Sequence, residues 1–445
     1  MENTGKFVAI HRFFENAESR TLNNTAACYE DYEGLLNAIS DLLTDCLPDD
    51  AVRGKRVLLK PNWVRHRDVN NPDDAICLRT NDNFLLAAIE AVLRRGPRAL
   101  TVAEAPIQMC DWDLLMRDLR PRIIRLGKKY NTAIAIHDLR HVVMDGTTRK
   151  RREINPLEKY LIFDTGRESH LEPVCDDKRQ PFRVTCYDPR RLAENHYSGV
   201  HRYCVAKLIF DQDLIITLPK VKTHQKTGMT NAMKILVGVN GDKDYLPHHR
   251  VGGTKYHGDC YPGGNCLRRF SEFLLDVSNR KTGTAFSRSL VRAAYGIWRC
   301  TRPSPEHQLS AGWHGNDTCW RMVADLNRIV RCGRADGTLS PTPLRTIYSL
   351  CDGIVCGEGN GPLEPKAFPL DAVLFSNCNE LCDLAAGNLM GIAVAHVPLL
   401  KYAEQQLKRL EEIEVLLNGR QVALESLRPS SGGVEMPPGW KNYDR

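Results

Sequence analysis

Between Phe7 and Ile136 short apolar runs alternate with amphipathic stretches, and this order limits the chain to few folds. Phe7 to Ile10, Val57 to Leu59, Ala99 to Ala103 and Ala133 to Ile136 have the length and content of buried strands. Tyr32 to Leu47 places Leu35, Leu36, Ile39 and Leu42 at helical spacing. Asn81 to Arg95 reads as a helix with Asn81 or Asp82 as its cap, and Asp111 to Leu126 as another. Strand and helix in repeated order predict an α/β fold, a mostly parallel sheet with helices on both faces.

Two stretches interrupt the rhythm and predict irregular cap insertions, at about residues 140–205 and 241–312. The first is dominated by charged and turn-forming residues, with short strand candidates at Tyr160 to Phe163 and Phe182 to Cys186. A strand over Lys207 to Leu218 and a helix over Thr227 to Val237 are expected next. The second insertion opens with Gly241 to Gly264, rich in His, Gly, Asp and Tyr. Helices are predicted at Leu267 to Ser278, Ser287 to Trp298 and Thr318 to Val330, then strands at Thr346 to Val355 and Ala372 to Phe375. Helices at Glu380 to Met390 and Pro398 to Leu417 follow. The expected organisation is one large domain over residues 1–428 and a loosely ordered tail over 429–445, rich in Pro, Gly and Ser.

A net charge of +7 on 445 residues is a mild excess. Its one dense run is Arg149 to Arg152, read as a solvated loop, so no nucleic-acid partner is expected. The sixteen cysteines include no Cys-x-x-Cys pair, which leaves zinc ribbons, thioredoxin motifs and an iron–sulfur cluster without footing. No apolar leader or membrane span is visible, so the expected address is cytoplasmic, with reduced and mostly buried thiols.

The chemistry is expected where strands end. Val57 to Leu59 runs into Lys60-Pro61-Asn62, and Ala99 to Ala103 into Glu104-Ala105-Pro106. Leu214 to Leu218 runs into Pro219-Lys220-Val221-Lys222-Thr223-His224, and Ile354-Val355 into Gly357-Glu358-Gly359-Asn360-Gly361-Pro362. In an open parallel sheet the carboxyl ends share one edge, where ligands bind. If Pro219 to His224 stays extended, Lys220, Lys222 and His224 share one face. Two ammonium groups about 7 Å apart repel by roughly 2 kcal/mol at an effective dielectric near 20, so an anion between them is favourable.

A helix starting at Thr227 would stack Thr227, Asn231 and Lys234 and aim free N–H groups at that anion. Glu104, Glu358 and Asp383 are candidates for holding a divalent metal, or for general acid and base. The stretch from His248 and His249 to Asp259 and Cys260 matches no zinc signature. Metal binding, substrate contact by a lid and ordinary hydrogen bonding all stay open for it. Cys351, Cys356, Cys378 and Cys382 read as core packing. The glycines after Glu358 form no Walker loop, and no dinucleotide fingerprint is present.

These segments resemble the domain of unknown function 362 family. The resemblance is carried by Val57 to Asn62, Leu218 to His224, Gly228 to Lys234 with Val237-Gly238, Asp352-Gly353-Ile354 with Glu358 to Pro362, and Asp383 with Leu389-Met390-Gly391. Some members carry an added ferredoxin-like four-cysteine segment. This chain lacks it, so the resemblance implies no cluster. Pro247 to Arg250 and Gly258 to Pro262 look like a subgroup found among surface-polysaccharide biosynthesis proteins.

The combined expectation is a cytoplasmic enzyme acting on an anionic, phosphorylated or carboxylated small metabolite, such as a sugar derivative. Lys222, His224 and Glu358 are the candidate catalytic residues. Lys60, Asn62, Lys220, Thr227, Lys234, His248 and His249 are the candidate substrate contacts, and Glu104, Glu358 and Asp383 the candidate metal ligands. The alternative is a non-catalytic ligand-binding or assembly protein.

Overall fold

The apolar runs become the centre of one 11-stranded sheet because each presents side chains alternately to two cores. The structure, a computed structural model, describes residues 5–66, 75–175, 181–303, 308–408, 412–429 and 432–441. The strands are β1 (Lys6–His11), β2 (Arg56–Pro61), β3 (Ala99–Glu104), β4 (Ile134–Asp138), β5 (Leu214–Leu218) and β6 (Lys220–His224). They continue with β7 (Gly228–Thr230), β8 (Ile347–Asn360), β9 (Glu364–Ser376), β10 (Ile413–Leu417) and β11 (Arg420–Gln421). The order is β11-β10-β1-β9-β8-β5-β2-β3-β4, with β6 paired to β8 and carrying β7. The fold is α/β and the sheet is mostly parallel. The ladders β5–β2, β2–β3, β3–β4 and β5–β8 are parallel, whereas the long β8–β9 hairpin is antiparallel.

Helices cover both faces. Val57, Leu59, Leu214, Ile216 and Leu218 point to one, where α1 (Tyr32–Cys46), α2 (Asp82–Leu93) and α3 (Leu119–Lys129) pack. Leu58 and Ile215 point to the other, with α6 (Cys319–Cys332), α7 (Asn379–Met390) and α8 (Pro398–Leu407). The intervening α4 (Cys266–Arg280) and α5 (Ala285–Cys300) pair with each other in the second insertion. Asn81 caps α2 as its position predicts, its side chain accepting from the N–H groups of Asn83 and Phe84. Cys351, Cys356, Cys378 and Cys382 lie in the core.

Three local expectations are corrected. The helix expected over Thr227 to Val237 is a strand, β7, followed by a 3-10 turn at Lys234–Val239. Thr and Gly are weak helix formers, and Gly228 turns back with φ 77° so that β7 pairs with β6. The strand expected over Lys207 to Leu218 begins with a 3-10 turn, and only Leu214–Leu218 joins the sheet. The helix expected over Pro398 to Leu417 ends at Leu407; residues 409–411 lie outside the described set, and Ile413–Leu417 pairs with the edge of β1. That strand has the β-branched and apolar content a parallel edge favours.

The tail differs as well. Residues 432–441 pack against the body, with Trp440 buried and its Nε1–H donating to Gln225 O at 2.7 Å. Residues 430–431 and 442–445 lie outside the described set.

Candidate functional site

The carboxyl ends of β2 and β3, the strand β6 and both insertions enclose a cavity of about 380 Å³. Asn62 comes from just beyond β2 and Glu104 from the end of β3. Lys222 and His224 come from β6, where strand alternation puts them on one face. Lys226 enters from the β6–β7 turn, Thr230 from β7 and Lys234 from the 3-10 turn after it. The insertions contribute Tyr187, Lys243 and His248. Val64, Ile107, Val184, Ile235 and Leu363 supply apolar wall.

Charge in this cavity is one-sided. Glu104 is the one carboxylate among the described lining residues, and Lys60 Nζ already pairs with it at 2.7 Å, both side chains buried. Four further lysines line the space. Burial pushes Lys222 down to about 7, with Lys220 and Lys234 adding like-charge repulsion. Burial likewise lowers Lys243 to about 8, with Glu104 opposing and Lys234 and Lys60 reinforcing the shift. Lys226 and Lys234 are lowered for the same reason, desolvation of the ammonium. Lys222 Nζ donates to Leu78 O and Lys226 Nζ to Ser310 O. Lys234 and Lys243 have no hydrogen-bond or ion-pair partner among the described residues.

The two imidazoles in the wall are held in opposite tautomers. His224 Nδ1 accepts from the Lys226 N–H at 3.0 Å, which puts its proton on Nε2. His248 Nδ1 lies 2.7 Å from Leu246 O and therefore donates, which leaves Nε2 as an acceptor. Burial, then repulsion from neighbouring lysines, holds both rings well below the ordinary imidazole value. Both are neutral near pH 7. The cavity thus offers ammonium donors, one neutral N–H donor and one neutral acceptor.

Several sequence-derived candidates lie elsewhere. Lys220 is not a lining residue of this cavity. Lys220 Nζ instead pairs with Asp352 at 3.0 Å and donates to Tyr29 Oη at 2.8 Å, all fully buried. Thr227 is buried and its hydroxyl donates to Met229 O, so it opens no anion-binding helix. His249 faces away from the cavity that its neighbour His248 lines.

The expected trio of metal ligands is not assembled. Glu104 pairs with Lys60, Glu358 accepts from the Glu435 N–H at 2.8 Å, and Asp383 accepts from the Ala232 and Met233 N–H groups. Glu358 is also not a lining residue, which removes it as a catalytic candidate in this cavity. The reason is topological. The long β8–β9 hairpin carries Glu358 toward the tail, while Asp383 serves the loop leading from β7.

Gly361 shows what the glycine-rich segment does. A Cβ there would meet Thr223 O at 2.0 Å, so the glycine lets β8 approach β6 closely and makes no phosphate loop. Gly238 has the same property inside the site: a Cβ would lie 1.9 Å from Glu104 Oε1 and 2.7 Å from Lys60 Nζ. Gly238→Ala is therefore expected to destabilise the fold by about 1–3 kcal/mol through displacement of that ion pair. Urea denaturation of the variant checks this.

Lys226, Lys243 and Tyr187 were not among the expected contacts. The alternation Lys220, Lys222, His224 does run on to Lys226 in sequence. Lys243 and Tyr187 sit in irregular insertions where no periodicity signals them. A second hollow, of about 870 Å³, lies beyond β4. It mixes Asp111, Asp113, Asp138 and Asp145 with Arg140, Lys150, Arg151 and Arg152, so it lacks the one-sided charge.

Comparison with known proteins adds the following. No curated protein matches the chain. Among solved structures it is similar to the crystal structure of a Thermotoga maritima protein, a Northeast Structural Genomics Consortium target, at 11% identity and a TM-score of 0.28. That alignment covers 77% of this chain and 55% of the other, so the chain spans about half the length of that protein. The family model described as domain of unknown function, DUF362, matches residues 57–387. That span includes β2, β3, β6 and every lysine of the cavity, and the chain belongs to this family of proteins of unknown function.

Proposed function

We propose that the protein is an enzyme acting on an anionic small molecule, a phosphorylated or carboxylated metabolite held among Lys222, Lys226, Lys234 and Lys243. The observation that carries this reading is the charge imbalance. Four lysine side chains face about 380 Å³, and the one carboxylate among the described lining residues is already neutralised by Lys60. Such an arrangement is unfavourable in itself and becomes favourable when an anion enters. The volume falls in the range of small-metabolite sites, and the apolar wall suits a carbon skeleton such as a sugar derivative. The sixteen free cysteines support a reducing, cytoplasmic setting.

Lys222 is the residue we assign to proton transfer. At about 7 it is divided between amine and ammonium near neutrality, the condition in which one group both accepts and returns a proton. His224 Nε2–H orients an oxygen of the substrate, and His248 Nε2 accepts a hydroxyl. Phosphoryl or acyl transfer, ligation and proton-transfer isomerisation share these requirements.

The test is a thermal-shift screen of sugar phosphates, nucleotides and carboxylates, followed by turnover assays on the binders. Ligand at a hundredfold excess over Kd should add about 2.7 kcal/mol of stability. Lys222→Arg keeps a charge and loses titration near neutrality. It should retain binding and lose turnover. A screen in which no anion stabilises the protein overturns the binding reading, and full turnover in Lys222→Arg overturns the proton-transfer assignment.

A pH dependence follows, with a definite sign. Lys222 is ammonium below about 7 and free amine above it, whereas an ordinary lysine titrates at 10.5. Anions bind the ammonium form, so affinity should fall as pH rises through about 7, approaching about tenfold per pH unit. The bound anion keeps Lys222 and Lys243 protonated, so binding at pH about 8 should take up roughly one and a half protons, most of one at Lys222 and about half at Lys243, and at pH about 6 almost none. Calorimetric titrations in buffers of different ionisation enthalpy measure that uptake. Equal affinity and no proton uptake from pH about 6 to 9 would contradict the assignment.

A further inference from the structure

Beside the anion cavity, within the second insertion, three buried side chains of different chemistry converge. His249 lies on a two-residue strand paired with Phe182–Arg183, Cys260 in the loop that follows, and Glu272 on α4. One ligand atom from each lies within 4.8 Å of the others, and the residues are 3%, 0% and 5% exposed. We propose that His249, Cys260 and Glu272 bind a zinc ion that braces the second insertion beside the anion cavity.

Geometry and composition favour a metal over an ordinary polar cluster. His249 Nδ1 is buried with no hydrogen-bond partner, which is costly unless something else satisfies it. Both Glu272 oxygens accept from the Gly252 N–H, at 2.9 and 3.1 Å, which fixes the carboxylate. The Cys260 N–H donates to Gly252 O at 3.0 Å, so one short backbone segment positions two of the three ligands. Tetrahedral zinc with bonds of about 2.0–2.3 Å needs ligand atoms roughly 3.3–3.8 Å apart, so a contraction of at most about 1.5 Å closes the site.

Imidazole, thiolate and carboxylate together select zinc over the hard cations magnesium and calcium, which take oxygen ligands. One thiolate and one carboxylate balance the two charges of the ion, leaving a neutral centre suited to burial. The neighbouring Arg183 and Asp276 are already paired with each other at 2.8 Å. A void of about 20 Å³ adjoins His249 and Glu272. A single water needs about 10–15 Å³ by the same measure, so the fourth ligand is one water and a substrate has no room.

The consequence lies next door. His248, adjacent to His249, lines the anion cavity, and Val184 and Thr185 border both spaces. Metal at this point braces the second insertion where Phe182–Arg183 of the first pairs with it beside the cavity wall.

The experiment uses the untagged full chain, produced with added zinc and dialysed before elemental analysis. About one zinc per chain is expected, the stoichiometry of a single closed site. X-ray absorption at the zinc edge should show one sulfur at about 2.3 Å with nitrogen and oxygen at about 2.0 Å. His249→Gln and Cys260→Ser should each weaken zinc retention by more than about a hundredfold, beyond the range of outer-sphere changes. Cys266→Ser, at an exposed cysteine, should leave it unchanged. Zinc far below one equivalent in the reconstituted wild type overturns the proposal, as does a shell with no sulfur or with several. The absorption measurement uses wild-type protein and so decides the matter even where a variant does not fold. Full retention by folded Cys260→Ser would equally overturn it.

Discussion

Lys234→Met combined with Lys243→Met should remove anion binding and at the same time make the ligand-free protein more stable. Both ammonium groups face the cavity without a protein partner among the described residues, and burial lowers the pKa of each. Each charge-assisted hydrogen bond to a bound anion is worth about 1.5–3 kcal/mol. Losing two should cost about 3–6 kcal/mol, or roughly two to four orders of magnitude in Kd. Replacing desolvated charges with an apolar side chain of similar length should raise unfolding free energy by about 1–2 kcal/mol, the low end of such exchanges. Titration calorimetry and urea denaturation check the two effects. Opposite signs for binding and stability mark a site kept for function. Loss of stability together with loss of binding would make these lysines structural.

Asp352→Asn should have the reverse profile, a large loss of stability with the cavity intact. Asp352 pairs with Lys220 at 3.0 Å, accepts from Tyr29 Oη and accepts from the Asn81 N–H at 2.9 Å, which ties β8 to the start of α2. All of this is dry. Removing the negative charge strands the Lys220 ammonium in the interior, at a cost of about 3–5 kcal/mol. Lys220→Met in the same chain should recover much of the loss, and the double-mutant cycle measures the coupling. The doubly changed protein should still bind its anion, since Lys220 is not a lining residue. Loss of binding in a folded double variant would return Lys220 to the site.

That contrast shows what the residues disclose and what they withhold. Strand termini were legible, because apolar runs of two to five residues stop at charged residues beside proline or glycine. Asn62, Glu104, Lys222 and His224 reach one cavity for that reason. Lys220 does not reach it because Asp352 and Tyr29, far from it in sequence, hold its ammonium in the core. Thr227 was misplaced because a helix and a hairpin compete for the same Thr-Gly-Met-Thr segment, and tertiary pairing with β6 decides between them. Glu358 and Asp383 satisfy backbone N–H groups, a role no sequence pattern distinguishes from catalysis. Lys243 and Tyr187 were invisible, since insertions have no period to read. The convergence of His249, Cys260 and Glu272 depends on how α4 folds back on its loop, and their spacing matches no zinc signature.

A crystal structure of the protein with a phosphorylated ligand from the thermal-shift screen reads the charge argument at its source. The phosphoryl oxygens should lie about 2.7–3.2 Å from at least two of Lys222, Lys226, Lys234 and Lys243. A saturated crystal whose ligand sits elsewhere, with those four side chains ordered around water alone, would contradict it.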